Sequence, residues 1–136
     1  MKNVLITGAA GQLGGAFVEH LSINKDFQIY ACDIDFLDRK KVNNVEYVGI
    51  DITDEAQVIA FFKSLDHIDI VVNNAGVGVF TPFEQRTIEE FTSVFDVNMK
   101  GTFLVCREAI KMMVLANSGK IVNIGSIYGI VSSDLR

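Results

Sequence analysis

The stretch Thr7-Gly8-Ala9-Ala10-Gly11-Gln12-Leu13-Gly14 decides how this 136-residue chain is read. Before it stands Lys2–Thr7, a short run rich in β-branched residues that reads as a strand ending at a glycine. After it, Leu13, Phe17 and Leu21 recur every four residues and mark one face of a helix. Glycines at 8, 11 and 14 let the backbone turn at positive φ and let a phosphate come close without meeting a Cβ. A helix starting here would aim unpaired amides and the positive end of its dipole at that phosphate. Gly15 and Ala16 keep its first turn slim against a sheet. The same spacing also suits a tight strand-to-helix turn that holds no ligand. Its position between a strand and a helix favours the dinucleotide reading.

Outward from the turn, strands and helices alternate. Phe27–Cys32, Val45–Ile50, Ile68–Val72 and Lys120–Ile124 read as four more strands. Val58, Phe61, Phe62 and Leu65 share a helix face between the third and fourth. Beyond Pro82, the Thr87-Ile88-Glu89-Glu90 segment is a capping box: Thr87 accepts an amide hydrogen bond while Glu90 reaches back. It predicts a helix that buries Phe91, Val94 and Phe95. A further helix, with Val105, Ala109, Met112 and Ala116 inward, is predicted to end at Ser118-Gly119. The alternation implies right-handed crossovers and an α/β fold with a doubly wound, mostly parallel sheet. Ligands of such folds bind beyond the carboxyl ends of the strands, where strand order reverses.

Residues suited to chemistry stand at those ends. Asp33 lies 19 residues past Gly14, where a carboxylate can accept hydrogen bonds from both ribose hydroxyls of an adenosine and repel a 2′-phosphate. It is followed directly by Ile34 and Asp35, with no arginine beside it, which favours NAD over NADP; the plain alternative is a loop aspartate capping the next turn. Asp51-Ile52-Thr53-Asp54 suits a helix start, and Asp51 is also placed to meet an adenine amino group. In Asn73-Asn74-Ala75-Gly76, two small residues allow a flat group to lie against backbone. Gly125-Ser126 follows the fifth strand.

Composition removes other classes. Hydrophobic residues make up 49% and charged residues 21%, too apolar for a disordered tail. The longest apolar runs, such as Met112–Ala116, fall far short of the ~20 residues of a membrane helix. With 12 basic and 17 acidic residues the net charge is −5, and the one basic cluster, Arg39-Lys40-Lys41, reads as a solvated loop, so nucleic acid is not an expected partner. His20 and His67 stand alone, so no metal site is expected. Cys32 and Cys106 read as buried, reduced thiols. Val4-Leu5-Ile6 is too short for a signal-peptide core, and a cytoplasmic protein is expected.

Taken together, Thr7–Gly14, Asp33, Asp51-Ile52, Asn73–Gly76, Asn98 in Asn98-Met99-Lys100-Gly101, and Ser126 after Lys120–Gly125 resemble the short-chain dehydrogenase/reductase family, in its order and along the whole chain. One departure is Gln12, where the single-domain reductases usually have glycine; the spacing of Gly8, Gly11 and Gly14 resembles the nucleotide-sugar branch instead, while Asn73–Gly76 resembles the single-domain reductases, so the substrate class stays open. The resemblance implies a Rossmann-like fold with an NAD site lined by Gly8, Gly11, Gln12, Leu13, Gly14, Asp33, Asp51, Ile52, Asn74, Ala75 and Gly76. It implies that Ser126 hydrogen-bonds a substrate oxygen and that Asn98 holds a proton-relaying water. It also implies a small-molecule substrate, a carbonyl or alcohol, and a homo-oligomeric parent.

The family's Tyr-x-x-x-Lys pair is absent from these residues: Tyr30, Tyr47 and Tyr128 are followed at four residues by Ile34, Asp51 and Ser132. Family spacing places the tyrosine just beyond Arg136, so residues 1–136 are expected to be the amino-terminal portion of an oxidoreductase domain, truncated after its fifth strand. Two other readings stay open, a redox-sensing module that holds a dinucleotide without transforming it, and a fragment of a nucleotide-sugar epimerase or dehydratase.

Overall fold

A computed structural model describes residues 1–36 and 41–127. Arg39, Lys40 and Tyr128, singled out above, lie outside the described residues. Five strands form one parallel sheet: β1 (Lys2–Thr7), β2 (Phe27–Asp33), β3 (Val45–Gly49), β4 (Ile70–Asn73) and β5 (Lys120–Asn123), in the order β3-β2-β1-β4-β5. Helices α1 (Gln12–Leu21), α2 (Glu55–Lys63), α3 (Ile88–Phe95) and α4 (Thr102–Ala116) connect them, and a π-helical turn at Asp96–Gly101 joins α3 to α4. Strands leave β1 in both directions, so a crevice opens above the carboxyl ends of β1 and β4, the place the doubly wound reading requires.

The central strands β1 and β4 are buried on both faces because they carry consecutive apolar residues, Val4-Leu5-Ile6 and Ile70-Val71-Val72, rather than alternating ones. Val4 and Ile6 pack with Ile29, Ala31 and Val18 on the α1 side. Leu5, between them in sequence, faces the other way, into a core shared with Val71, Val58 and Val105 beneath α2 and α4. Each such side chain contributes about 1.5–3 kcal/mol by leaving water.

Local signals hold where the partner is local. The Thr87–Glu90 capping box forms in both directions, and Asp54 caps α2 by accepting from the amides of Ala56 and Gln57. Strand limits shift by one or two residues; β4 begins at Ile70, although Ile68 is already buried in the core.

Inward faces shift where tertiary contacts choose. Helix α1 buries Gly14 and Val18, while Leu13 turns outward to the crevice. No residue of α3 is buried: Phe91 and Phe95 are 54% and 52% exposed and stack on each other, because that stripe meets no facing element among the described residues. Helix α4 turns Leu104, Val105, Glu108, Ala109 and Met113 inward, leaves Met112 half-buried and exposes Ala116. Met113 takes the inward place because Gly119 makes room; a Cβ at Gly119 would lie 2.2 Å from Met113 Cγ. Cys32 is buried as expected, but Cys106 is only half-buried, on the flank of α4 beside β5. No helix among the described residues is long and apolar enough to cross a membrane.

Candidate functional site

The turn after β1 is built by what its glycines lack. Gly8 sits at φ +65°, and a Cβ on it would stand 2.7 Å from Ala75 Cα. Gly14 faces the same turn from the first turn of α1; a Cβ there would stand 2.1 Å from the Gly8 oxygen and 2.8 Å from Asn74 Nδ2. Gly11 caps α1 without a side chain, so the first-turn amides of Gln12 and Leu13 have no acceptor within the helix. In a chain of net charge −5, these amides and the helix dipole are the local source of positive potential.

The end of β4 is strapped to this turn. Thr7 is buried, and its Oγ1 accepts from the amides of Asn74 and Ala75, each at 3.1 Å. The Asn74 side chain returns the contact, its Nδ2 donating to the Thr7 and Gly8 carbonyls at 3.1 and 3.2 Å. Asn74 thus borders the crevice while its amide holds the glycine turn in place. Asp33 ties β2 to the same turn: Oδ2 accepts from the Ala10 amide and Oδ1 from the Ile34 amide, both at 2.8 Å. Each carboxylate oxygen keeps a second lone pair for a ligand hydroxyl. Asp51 Oδ1 accepts from the Thr53 amide and hydroxyl, closing a turn of its own, while helix capping falls to Asp54. Hydrogen bonds from Gln57 and the Ala56 amide hold the Asp54 carboxyl below its ordinary pKa.

These groups surround a cleft of about 340 Å³. Its walls include Gly8, Gly11, Gln12, Leu13, Asp33, Asp51, Ile52, Asn74, Ala75 and Gly76, so every cofactor residue expected from the sequence borders it except Gly14, which lies buried behind the turn. Ile34 and Ile50 join them, as do Val77 just past Gly76 and Val97 of the π-helical turn. Val97 carries no motif, and only the path of that turn back over the crevice brings it there.

The two residues expected to act on substrate stand elsewhere. Asn98 does not line the cleft; its Oδ1 accepts from the Val77 amide at 2.8 Å and its Nδ2 donates to the Val77 carbonyl at 3.0 Å. The side chain therefore clamps the loop after Gly76. Ser126 is exposed beyond the end of β5 and is not part of the cleft wall. Between β4, β5 and α4, Asn73 Nδ2 donates to Asn123 Oδ1 at 2.8 Å and to Cys106 Sγ at 3.1 Å, while the buried Asn73 Oδ1 has no partner among the described residues. Partial burial raises the Cys106 thiol pKa, and the Asn73 hydrogen bond offsets part of that.

The glycine turn, the strand-end aspartate and the free helix amides fit a dinucleotide: small residues where a pyrophosphate would press, donors facing it, and a carboxylate at the ribose distance along the chain. Comparison with known proteins agrees. The sequence profile of the short chain dehydrogenases matches residues 2–135. Cyclopentanol dehydrogenase of Comamonas testosteroni is 31% identical over 147 residues, covering 97% of this chain and 57% of that protein. A short chain dehydrogenase from Leptospira borgpetersenii solved with bound NAD+ is 40% identical, with a TM-score of 0.91, over 99% of this chain and 55% of that one. ElxO solved with NADP bound is 28% identical, with a TM-score of 0.85, over 97% of this chain and 58% of that one. The chain thus spans a little over half the length of the proteins it resembles.

Proposed function

The chain belongs to the short chain dehydrogenase family, and on that premise we propose that it supplies the NAD-binding part of an oxidoreductase acting on a small carbonyl or alcohol. The observation that carries the reading is the cleft at the reversal of strand order, where the Gln12 and Leu13 amides and the Asp33 carboxylate face one space. A bound nicotinamide would accept or donate a hydride. The chain's own residues bind and orient: the first turn of α1 takes the pyrophosphate, Asp33 the adenosine ribose, Asp51 and Ile52 the adenine, and Ala75 and Gly76 the flat surface beyond it.

Two features support NAD over NADP. The Asp33 carboxylate would meet a 2′-phosphate with like charge, and Ile34, Asp35 and Phe36 after it bring no cation. The Leptospira relative with NAD+ has the higher identity of the two cofactor-bound structures above. Ser126 is assigned to the substrate oxygen. Asn98 is assigned first to holding Val77, with its second oxygen lone pair left for a water. The Asn73–Gly76 element favours a single-domain reductase over a nucleotide-sugar enzyme. A cytoplasmic setting and a homo-oligomeric assembly complete the reading.

These 136 residues hold no Tyr-x-x-x-Lys pair, so alone they are expected to bind NAD with a Kd above about 1 μM and to oxidise no alcohol. Titration calorimetry with NAD and NADP tests this. NAD should bind at least about fivefold tighter than NADP, and Asp33→Asn should narrow that gap. Equal or tighter binding of NADP would overturn the NAD assignment. No heat with either dinucleotide at millimolar concentration would overturn the site. Sub-micromolar NAD affinity without turnover would favour the redox-sensing alternative.

A further inference from the structure

The π-helical turn Asp96–Gly101 touches the cleft from behind at three points: Val97 lies in its wall, Asn98 clamps Val77, and Gly101 backs Ile52. Such turns are uncommon and recur at functional sites, where the extra residue redirects the helix beyond it. The approach at Gly101 leaves no space for a side chain. A methyl carbon added there would stand 2.7 Å from both Cγ1 and Cδ1 of Ile52, inside any real carbon–carbon contact.

Ile52 has little room to yield inward. On its core side it packs with Leu5, Val58 and Val105, and the cavity left among them is about 10 Å³, room for no more than about one water. Its open side is the cleft, at the end that carries Asp33, Ile34 and Asp51. We infer that Gly101 is a positioning residue of the dinucleotide cleft, acting through Ile52 to set the width of its adenosine end. The inference rests on the cofactor reading above. It assigns a reason for glycine at position 101 that helix propensity does not supply, because glycine is among the poorest residues for the helix it enters.

The test is a cycle of four chains, unmodified, Gly101→Ala, Ile52→Val and the double variant, each titrated with ADP-ribose by calorimetry and checked for folding by circular dichroism. Gly101→Ala should weaken ADP-ribose binding about tenfold by driving the Ile52 side chain into the cleft. Ile52→Val removes the Cδ1 methyl and leaves the cleft wider. Adding Gly101→Ala in that background should therefore tighten binding, and the double variant should come within about threefold of the unmodified chain. That reversal of sign is one a purely structural role would not produce. If Gly101→Ala alone does not fold, the two chains that carry Ile52→Val decide the matter. Tighter binding on adding Gly101→Ala to Ile52→Val supports the inference, and unchanged or weaker binding overturns it. Equal losses in both backgrounds, or no loss in either, overturn it while leaving the cofactor reading intact. Failure of the unmodified chain to bind ADP-ribose at millimolar concentration overturns the cofactor reading, and this inference with it.

Discussion

Replacing Gly14 by alanine places one methyl group where the glycine turn, α1 and the end of β4 converge. The new carbon would stand 2.1 Å from the Gly8 oxygen and 2.8 Å from Asn74 Nδ2, so either α1 lifts off the turn or the turn moves. Overpacking of this kind costs about 1–3 kcal/mol. Shifting the Gly8 carbonyl or Asn74 also weakens the Asn74 bonds to Thr7 and Gly8, which contribute about 0.5–1.5 kcal/mol each. Against this stands a gain of about 1 kcal/mol from alanine's better helix propensity. The net loss is about 1–5 kcal/mol, a large share of the roughly 5–15 kcal/mol that holds a domain together. Urea unfolding followed by far-ultraviolet circular dichroism should show the midpoint falling by about 1–3 M. Gly49→Ala is the matched control, since a Cβ at Gly49 meets nothing within 4 Å, and it should leave the midpoint nearly unchanged. If the two variants unfold within about 0.5 kcal/mol of each other, the close approach of turn, helix and strand is not what requires glycine at position 14.

Three further outcomes are expected. Thr87→Ala removes one half of the capping box and should cost about 1 kcal/mol by the same urea assay, whereas a loss under about 0.3 kcal/mol would mean that α3 contributes little to the cooperative unit. Glu108 accepts from Lys111 and Arg107, which hold its carboxyl below the ordinary glutamate value. Its stabilisation is therefore fully present above the unfolded value near 4.3 and is lost as pH falls through the lower folded value. Glu108→Gln should accordingly cost about 1 kcal/mol at pH 7 and less at pH 3, and an equal cost at both would refute the ionic contribution. Burial raises the pKa of both thiols, so at pH 8 Cys106 should react with iodoacetamide more slowly than glutathione does, and Cys32 should react only after unfolding. Labelling of Cys106 faster than free glutathione would contradict the half-buried placement.

Much of this fold is legible without coordinates. Runs such as Val4-Leu5-Ile6 are apolar at consecutive positions, which only a strand covered on both faces can use, and the glycine spacing marks where the first strand hands over to its helix. The capping box is equally plain, because both of its partners lie within four residues. Helical periodicity near the surface is the poorer guide. The stripe of Phe91, Val94 and Phe95 has the right period, yet a stripe is buried only if another element lies over it, and none does among the described residues. On α4, Val105 and Ala109 turn inward as expected, but Met113 takes the inward place expected of Met112, because the room beside Gly119 admits it.

The strand–helix alternation, the glycine turn and the strand-end residues follow from the amino-acid order alone, since each depends on backbone preferences and side-chain periods within a few residues. What those residues do to one another is set by contacts between distant elements. Asn74, expected to line the cofactor site, also holds Thr7 and Gly8, which are 67 and 66 residues away along the chain. Asn98, expected to hold a water, also clamps Val77 through both polar atoms of its side chain. Gly101 closes the Asn98–Gly101 motif in the sequence, and only the fold brings it so near Ile52 that a Cβ would stand 2.7 Å from that side chain. Contacts of this kind join elements that adjacency in sequence does not relate, and they exist only once the crossovers have stacked α4 and β4 beside β1.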